Sequence, residues 1–166
     1  MEAAPFLRRN ALVLDVCSLK MLPCQWMADL LPKGVRIVGT HPLFGPQSAP
    51  DAIIGQKVVV CPIRGNPDKV AGFLSGLGLE VIQCSPDEHD RQMAVSQALT
   101  HFIGRSMDGF ERVQLTTKTF DRLMDIVQII NGNSQELFED MQHLNPYAAE
   151  VRRRFIENCK KVDERL

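Results

Sequence analysis

The pattern of apolar residues changes at Ser85-Pro86. Before this dipeptide, four short apolar runs alternate with stretches of helical periodicity, and after it only helical patterns remain. Strands that alternate with helices are typical of a mostly parallel sheet with helical crossovers, whereas successive helices form an all-α domain. We therefore predict an α/β domain over residues 1–85 and a helical domain over residues 86–166.

Apolar runs, capping residues and chain breaks set the expected limits of these elements. The predicted strands are Ala11–Val16, Val35–Gly39, Lys57–Cys61 and Leu79–Cys84. The predicted helices are Met21–Leu31, Pro67–Leu77, Pro86–Met107, Thr119–Ile130, Ser134–His143 and Pro146–Arg165. Ser85 and Glu88 form a capping-box pattern at the start of the first helix of the second half.

Composition excludes several classes of function. Hydrophobic residues at 45% and charged residues at 23% are ordinary for a globular protein, and a net charge of −1 creates no field that favours nucleic acid or an acidic membrane. No apolar run approaches the ~20 residues that span a bilayer. The first residues, Met1–Pro5, lack the basic end and apolar run of a signal peptide. We predict a cytoplasmic protein.

The five cysteines lie at positions 17, 24, 61, 84 and 159 and form no C-x-x-C pair. Cys61 and Cys84 close predicted strands and Cys17 follows one, so we expect all three to be small buried apolar residues. We expect neither a disulfide in a reducing compartment nor a zinc site.

One histidine stands where a strand is expected to stop. Val35–Val38 is a β-branched apolar run, Pro42 keeps His41 out of helical conformation, and Gly45-Pro46 breaks the chain. His41 should therefore be extended at the carboxyl end of a strand, the edge where open α/β sheets bind ligands. An imidazole there can exchange a proton near neutral pH. The alternative is a loop histidine without a chemical role.

Three ordered segments resemble the prephenate and arogenate dehydrogenases of tyrosine biosynthesis. The segment Thr40-His41-Pro42-Leu43-Phe44-Gly45-Pro46 resembles their His-Pro-Met-Phe-Gly-Pro element, and Asp15-Val16-Cys17-Ser18-Leu19-Lys20 resembles their Asp-Val-x-Ser-Val-Lys. The segment Glu88-His89-Asp90, with Met93 and residues 96–101, resembles the start of their helical half. Looser matches occur at residues 117–120 and 136–138. The resemblance extends from about Ala11 to Tyr147.

The resemblance implies the remnant of a Rossmann-like sheet followed by a helical dimerisation domain, in a homodimer. It implies oxidative decarboxylation of prephenate or arogenate with hydride transfer to NAD or NADP. The family's Gly-x-Gly-x-x-Gly fingerprint does not occur, because the glycines at 72, 76 and 78 have the wrong spacing. The chain thus corresponds to the C-terminal part of a nucleotide domain plus the helical domain. The alternative is a non-catalytic dimerising or aromatic-ligand-binding module derived from that family.

The same resemblance assigns roles at the predicted sheet edge. His41 corresponds to the catalytic histidine that accepts the hydroxyl proton, with Pro42 beside it at the cofactor. Ser18 corresponds to the serine that positions substrate hydroxyl and nicotinamide, and helix capping is its other reading. Lys20 either serves a substrate anion or is a solvated residue of the first helical turn. His89 is assigned to structural hydrogen bonding.

The helical half supplies candidate carboxylate anchors. His101 and Arg105 are four residues apart on one predicted helix and form a plausible carboxylate-binding pair, with a core or interface histidine as the alternative. Enteric prephenate enzymes carry a carboxylate-binding arginine where Ile129 stands here, so Lys118 and Arg122 are candidates to replace it. The helix bears an apolar stripe too broad for one-sided burial (Phe120, Leu123, Met124, Val127, Ile130, with Ile126 and Ile129 beside it). It is either an interior helix or, by resemblance, a dimer interface.

Overall fold

The computed structural model describes residues 4–45 and 52–166, so Pro46 and the first three residues lie outside the described part. The chain divides into two compact units, Met1–Asp90 and Arg91–Leu166. The predicted boundary, after residue 85, falls before this division. The first turn of the helix Pro86–Met93 belongs to the first unit because His89 and Asp90 bond to residues of that unit.

The first unit contains a four-stranded sheet with two helices. Its elements are β1 Leu12–Asp15, α1 Met21–Leu30, β2 Arg36–Pro42, β3 Lys57–Arg64, α2 Asp68–Gly76 and β4 Glu80–Gln83. The strand order is β1-β2-β3-β4. Pairs β1–β2 and β3–β4 are parallel and each is joined by a helix, as predicted.

The central pairing of the sheet is antiparallel, whereas the other two pairings are parallel as predicted. Strands β2 and β3 pair antiparallel, with His41 opposite Val59 and Pro42 opposite Val58. The sequence predicts no helix between these strands, and parallel neighbours need a long crossover, usually a helix. Both strands are also longer than predicted, because their pairing continues β2 through Pro42 and β3 through Arg64. His41 is therefore extended at the carboxyl end of a strand, as expected.

Apolar clusters lie on both faces of the sheet. Helix α1 packs on one cluster (Cys24, Met27, Leu31, Val35, Ile37), and α2 packs on another (Val38, Val60, Val70). A Cβ atom built on Gly39 would lie 2.6 Å from Cys24 Sγ, so β2 and α1 approach closely only because residue 39 is glycine. This close approach brings the start of α1 beside the end of β2.

The C-terminus of α1 is capped by the side chain of Arg64, a residue of β3. The Arg64 guanidinium donates to the carbonyl of Ala28 at 2.6 Å and to that of Pro32 at 2.9 Å. A positive charge at a helix C-terminus satisfies carbonyls that have no partner within the helix and interacts favourably with the helix dipole. Arg64 thereby ties β3 to the last turn of α1.

The second unit is helical. Its helices are α4 Leu99–Ser106, α5 Lys118–Asn131, α6 Gln135–His143 and α7 Ala148–Asp163, and it also includes the end of α3, Pro86–Met93. The predicted helix 86–107 is interrupted by one π-helical segment, Ala94–Ala98. Thr117 and Ser134 cap α5 and α6 through their hydroxyls. A Cβ on Gly104 would lie 2.5 Å from Ile130 Cδ1, so α4 and α5 are also in close contact.

The cysteine prediction is only partly correct. Cys61 is buried in β3, Cys84 is half-buried and Cys17 is exposed, so burial of Cys17 was wrong. Cys17 follows an edge strand, where little of the unit covers the chain. Among the described residues, no helix has the length and apolar character needed to cross a membrane.

Candidate active site

The turn after β1 is held by a buried ion pair. Lys20 is 0% exposed, and its Nζ pairs with the Asp15 carboxylate. The same carboxylate accepts hydrogen bonds from the backbone N–H of Thr40 and of Cys17, both at 3.1 Å. Lys20 is therefore not the solvated first-turn residue that was one of its two predicted roles. It binds an anion of its own chain and joins the end of β1 to β2.

The N-terminus of α1 is capped by a residue far away in the sequence. Asp90 accepts the N–H of Lys20 at 2.8 Å on one carboxylate oxygen and the N–H of Met21 at 2.9 Å on the other. No local side chain caps this helix, so the predicted capping role of Ser18 is wrong. Ser18 is half-buried, and within the described residues its hydroxyl has no hydrogen-bond partner.

His41 forms the end of a chain of three polar side chains. The residue is 4% exposed, and its Nδ1 lies 2.8 Å from Nε2 of His89. His89 Nδ1 lies 2.7 Å from Oδ1 of Asp90. All three residues are buried, and the two rings meet edge to face at 63°. The chain His41–His89–Asp90 therefore connects the end of β2 to the capped start of α1.

The surroundings of His41 favour its neutral form. Burial is the largest cause that lowers the pKa of His41, and the charges of His89 and Lys20 act in the same direction. Asp90 opposes them, and the net effect lowers the pKa to about 3. His41 is therefore an uncharged imidazole at neutral pH, with a ring nitrogen that can accept a hydrogen bond.

Sequence reasoning missed Asp15 and Asp90, and it assigned His89 only to structural hydrogen bonding, which the contacts with His41 and Asp90 bear out. All three lie within the segments that carry the family resemblance, which was the available signal. The pairing of His41 with His89 joins residues 48 apart, and the cap from Asp90 to Lys20 joins residues 70 apart. Neither distance leaves a local pattern in the sequence.

The second unit places His101 and Arg105 on α4, as predicted. His101 Nδ1 and Arg105 Nε are buried and have no hydrogen-bond partner among the residues that the structure describes. Arg105 donates from Nη2 to the carbonyl of Asn133 at 2.9 Å, and its guanidinium lies 5.6 Å from the Phe138 ring centroid. Burial, followed by the charge of Arg105, lowers the pKa of His101. Buried polar atoms without hydrogen-bond partners destabilise a protein unless a ligand provides the missing partner.

The other two predicted anchors lie on the surface of α5. Lys118 and Arg122 are both exposed, and within the described residues neither forms a hydrogen bond or an ion pair. On the same helix Met124, Val127 and Ile130 are buried, while Ile126 is 46% and Ile129 is 45% exposed.

Known proteins share this architecture and these segments. Residues 1–83 match the prephenate dehydrogenase nucleotide-binding domain. The chain belongs to the prephenate dehydrogenase family. Residues 105–166 of this family member match the TYRAAT1-like C-terminal domain. The family resemblance predicted from the sequence is thus confirmed.

Curated relatives agree with this assignment. A probable arogenate/prephenate dehydrogenase of Methanocaldococcus jannaschii is 32% identical over 98% of this chain and 39% of its own length. Chloroplastic arogenate dehydrogenase 2 of Arabidopsis thaliana is 33% identical over 90% of this chain and 45% of its own length. The chain therefore spans less than half the length of these relatives.

Solved structures confirm the predicted fold class, a Rossmann-like α/β portion followed by helices. Prephenate dehydrogenase of Aquifex aeolicus has a TM-score of 0.75 at 18% identity, over 98% of this chain and 63% of that one. Synechocystis arogenate dehydrogenase has a TM-score of 0.66 at 19% identity, with the same coverage. A further structure of the Aquifex enzyme, with a TM-score of 0.71, is a complex with hydroxyphenyl propionate and NAD+.

The first unit has residues that fit one end of a nicotinamide cofactor. Val16 and Cys17 are exposed directly after β1, and the Ser18 hydroxyl beside them has no partner within the described residues. These residues follow the carboxyl end of β1, beside the carboxyl end of the parallel strand β2, which ends at Pro42. Cofactors of open α/β sheets bind at such an edge. The phosphate-binding fingerprint, in contrast, is not found in this sequence.

Proposed function

We propose that this chain carries the proton-accepting and substrate-binding part of a prephenate or arogenate dehydrogenase. In that reaction a hydride leaves C4 of a cyclohexadienyl ring, the C4 hydroxyl loses its proton, and a ring carboxylate departs as carbon dioxide. Aromatisation of the ring drives the step. Family membership supports this assignment, as do two relatives whose names include arogenate dehydrogenase activity.

The observation that carries the proposal is the hydrogen bond between His41 and His89. Because Nδ1 of His41 is occupied by His89, Nε2 is the nitrogen that remains for a substrate hydroxyl. The lowered pKa of His41 keeps the ring neutral, as an acceptor must be before the reaction. His41 sits at the carboxyl end of β2, where a substrate can meet a cofactor.

We assign Ser18 and Pro42 to the nicotinamide side of the site. NAD or NADP, when bound, supplies the hydride acceptor. The complex of the Aquifex relative with NAD+ and hydroxyphenyl propionate supports the binding of a nicotinamide and an aromatic ligand. The unpartnered Ser18 hydroxyl can hydrogen-bond either the carboxamide or the substrate hydroxyl and so orient the two reactants.

We assign the substrate carboxylates to the second unit. The buried unpartnered nitrogens of His101 and Arg105 fit an anion, because a carboxylate would satisfy both. The free cations Lys118 and Arg122 are further candidates. Lys20 is a poorer candidate than these, because its ammonium is buried and already paired with Asp15.

We also propose that α5 contributes to a homodimer. Ile126 and Ile129 lie beside the buried apolar face of that helix, and each remains about half exposed to solvent. A second copy of the chain could cover them. Sedimentation analysis should show a dimer that Ile126→Asp weakens, whereas a monomer at all concentrations would contradict this proposal.

The function is tested by two single substitutions, one at a site histidine and one at a control histidine. The chain, and the longest reading frame that contains it, are assayed with prephenate and arogenate and with NAD and NADP. His41→Asn should lower kcat by about 10²- to 10⁴-fold, the usual contribution of a proton acceptor. The control His143→Asn, on an exposed histidine of α6, should leave kcat unchanged.

The outcome also separates enzyme from binding module. Calorimetry that detects tyrosine or prephenate binding, in a protein that reduces neither cofactor, would favour the non-catalytic module. Equal loss of activity in both histidine variants would remove His41 from its proposed role.

A further inference from the structure

The hydrogen-bond chain behind His41 has a direction. Both oxygens of Asp90 accept backbone N–H groups, from Lys20 and Met21, and these groups can only donate. An ionised carboxylate has no proton to give, so the contact between Asp90 Oδ1 and His89 Nδ1 requires that His89 donate. Asp90 therefore fixes the tautomer of His89, with the proton on Nδ1.

The tautomer of His89 in turn determines the tautomer of His41. A neutral His89 that is protonated on Nδ1 has an unprotonated Nε2, which accepts a hydrogen bond. The partner at 2.8 Å is Nδ1 of His41, so His41 carries its proton on Nδ1. Its Nε2 is then the unprotonated nitrogen, the form that can accept a proton from a substrate hydroxyl.

A positive charge is stabilised differently on the two rings. His41 is buried, and its pKa is lowered by that burial and by the nearby charges of His89 and Lys20. His89 has the Asp90 carboxylate at 2.7 Å, the distance of a charge-assisted hydrogen bond. The Asp90 carboxylate acts directly on His89 and is farther along the hydrogen-bond chain from His41. An imidazolium is therefore better placed at His89 than at His41.

We propose, building on the dehydrogenase function above, that His89 is the final acceptor of the substrate hydroxyl proton, which reaches it through His41. As the O–H bond breaks, the proton binds Nε2 of His41. The proton on Nδ1 of His41 passes to Nε2 of His89. The product is an imidazolium at His89 between Asp90 and a neutral His41, with the original proton on Nε2 of His41. His41 thus accepts a proton without retaining the charge.

Nitrogen-15 NMR of the histidine side chains tests this relay without any turnover. At neutral pH the 166-residue chain should show His41 and His89 both protonated on Nδ1 and unprotonated on Nε2. When acid adds one proton to the pair, His89 should have both nitrogens protonated, and His41 should have only Nε2 protonated. A spectrum in which both nitrogens of His41 are protonated and Nε2 of His89 is not would overturn the proposal.

A conservative variant tests the relay during catalysis. In His89→Gln the amide oxygen can still accept from Nδ1 of His41 and the amide N–H can still donate to Asp90, but the side chain cannot take up a proton. The tautomer of His41 should be retained by NMR, while kcat should fall about 10²-fold, with KM nearly unchanged. The control His143→Gln should alter neither quantity.

The two proposals fail in different ways. A protein that turns over no cyclohexadienyl substrate, but shows the expected protonation of His89, contradicts the proposed function and supports only the inferred protonation pattern of the two histidines. Full activity of His89→Gln overturns the relay and leaves the dehydrogenase assignment intact. Asp90→Asn is less informative, because Asp90 also caps α1 and the variant can unfold for that reason alone.

Discussion

The candidate site residues of the two units differ in how their buried polar atoms are bonded. In the first unit Lys20, His41, His89 and Asp90 are all buried and bonded, mostly to partners far away in the sequence. In the second unit one buried nitrogen of His101 and one of Arg105 have no hydrogen-bond partner in the described part of the chain. The first unit thus holds its proposed proton acceptor in position before any ligand arrives, whereas the second offers buried nitrogens that a carboxylate would complete.

The largest expected effect on stability comes from removing Lys20, the buried cation of the first unit. Lys20→Met leaves the Asp15 carboxylate without its ammonium, and breaking a buried ion pair costs about 3–5 kcal/mol. Denaturant unfolding should therefore show a loss of that size. The matched control Lys33→Met, at an exposed lysine, should change the unfolding free energy by less than about 0.5 kcal/mol. Equal stability of both variants would show that the ion pair does not hold this turn.

A pair of glycine substitutions tests packing in the second unit. In Gly104→Ala the new Cβ would lie 2.5 Å from Cδ1 and 3.1 Å from Cβ of Ile130, so rotating the end of that side chain cannot relieve the clash. We expect a net loss of about 1–2 kcal/mol, since overpacking exceeds the gain in helix propensity. Gly72→Ala, in α2 of the first unit, has no atom within 4 Å and should stabilise by up to about 1 kcal/mol. Thermal unfolding should show that the two substitutions change the unfolding free energy with opposite signs. Changes of the same sign would contradict the close contact of α4 and α5.

Acid should weaken the first unit through His41. The ordinary pKa of 6.5 applies in the unfolded chain, and the folded pKa is about 3, so the unfolded state binds more protons between these values. Stability is therefore complete above the unfolded pKa and falls as the pH drops below it, by at most about 1.4 kcal/mol per pH unit. The slope of unfolding free energy against pH should be smaller in His41→Gln. An unchanged slope would mean that His41 is not held neutral.

Local rules recovered most of the helices but not the site. Ser85, predicted to cap the helix that begins at Pro86, accepts the backbone N–H of Glu88 at 3.1 Å, a contact that lies within three residues. The antiparallel pairing of β2 with β3 and the cap from Asp90 depend on which distant segments meet. His41 was found because it ends a strand within a family motif. His89 was underestimated because its partner lies in another motif, which no spacing rule connects to it.

The smallest expected effect on stability belongs to the exposed cations of α5. Lys118→Gln and Arg122→Gln remove charges that have no partner within the described residues, so each should change the unfolding free energy by less than about 0.5 kcal/mol. If either residue binds a substrate carboxylate, KM should rise several-fold while stability is unchanged.

Arg105→Gln provides the contrast within the same unit. Its guanidinium already donates to the Asn133 carbonyl and lies over Phe138, so its loss should lower both stability and substrate affinity. Lys160→Gln, on the exposed end of α7, is the charge-matched control and should leave KM unchanged. An unchanged KM in both α5 variants, with a raised KM in Arg105→Gln, would place the carboxylate at the partly buried pair of α4. That result would make the two units alike, because in both of them the groups that act on substrate would be buried and positioned by the fold.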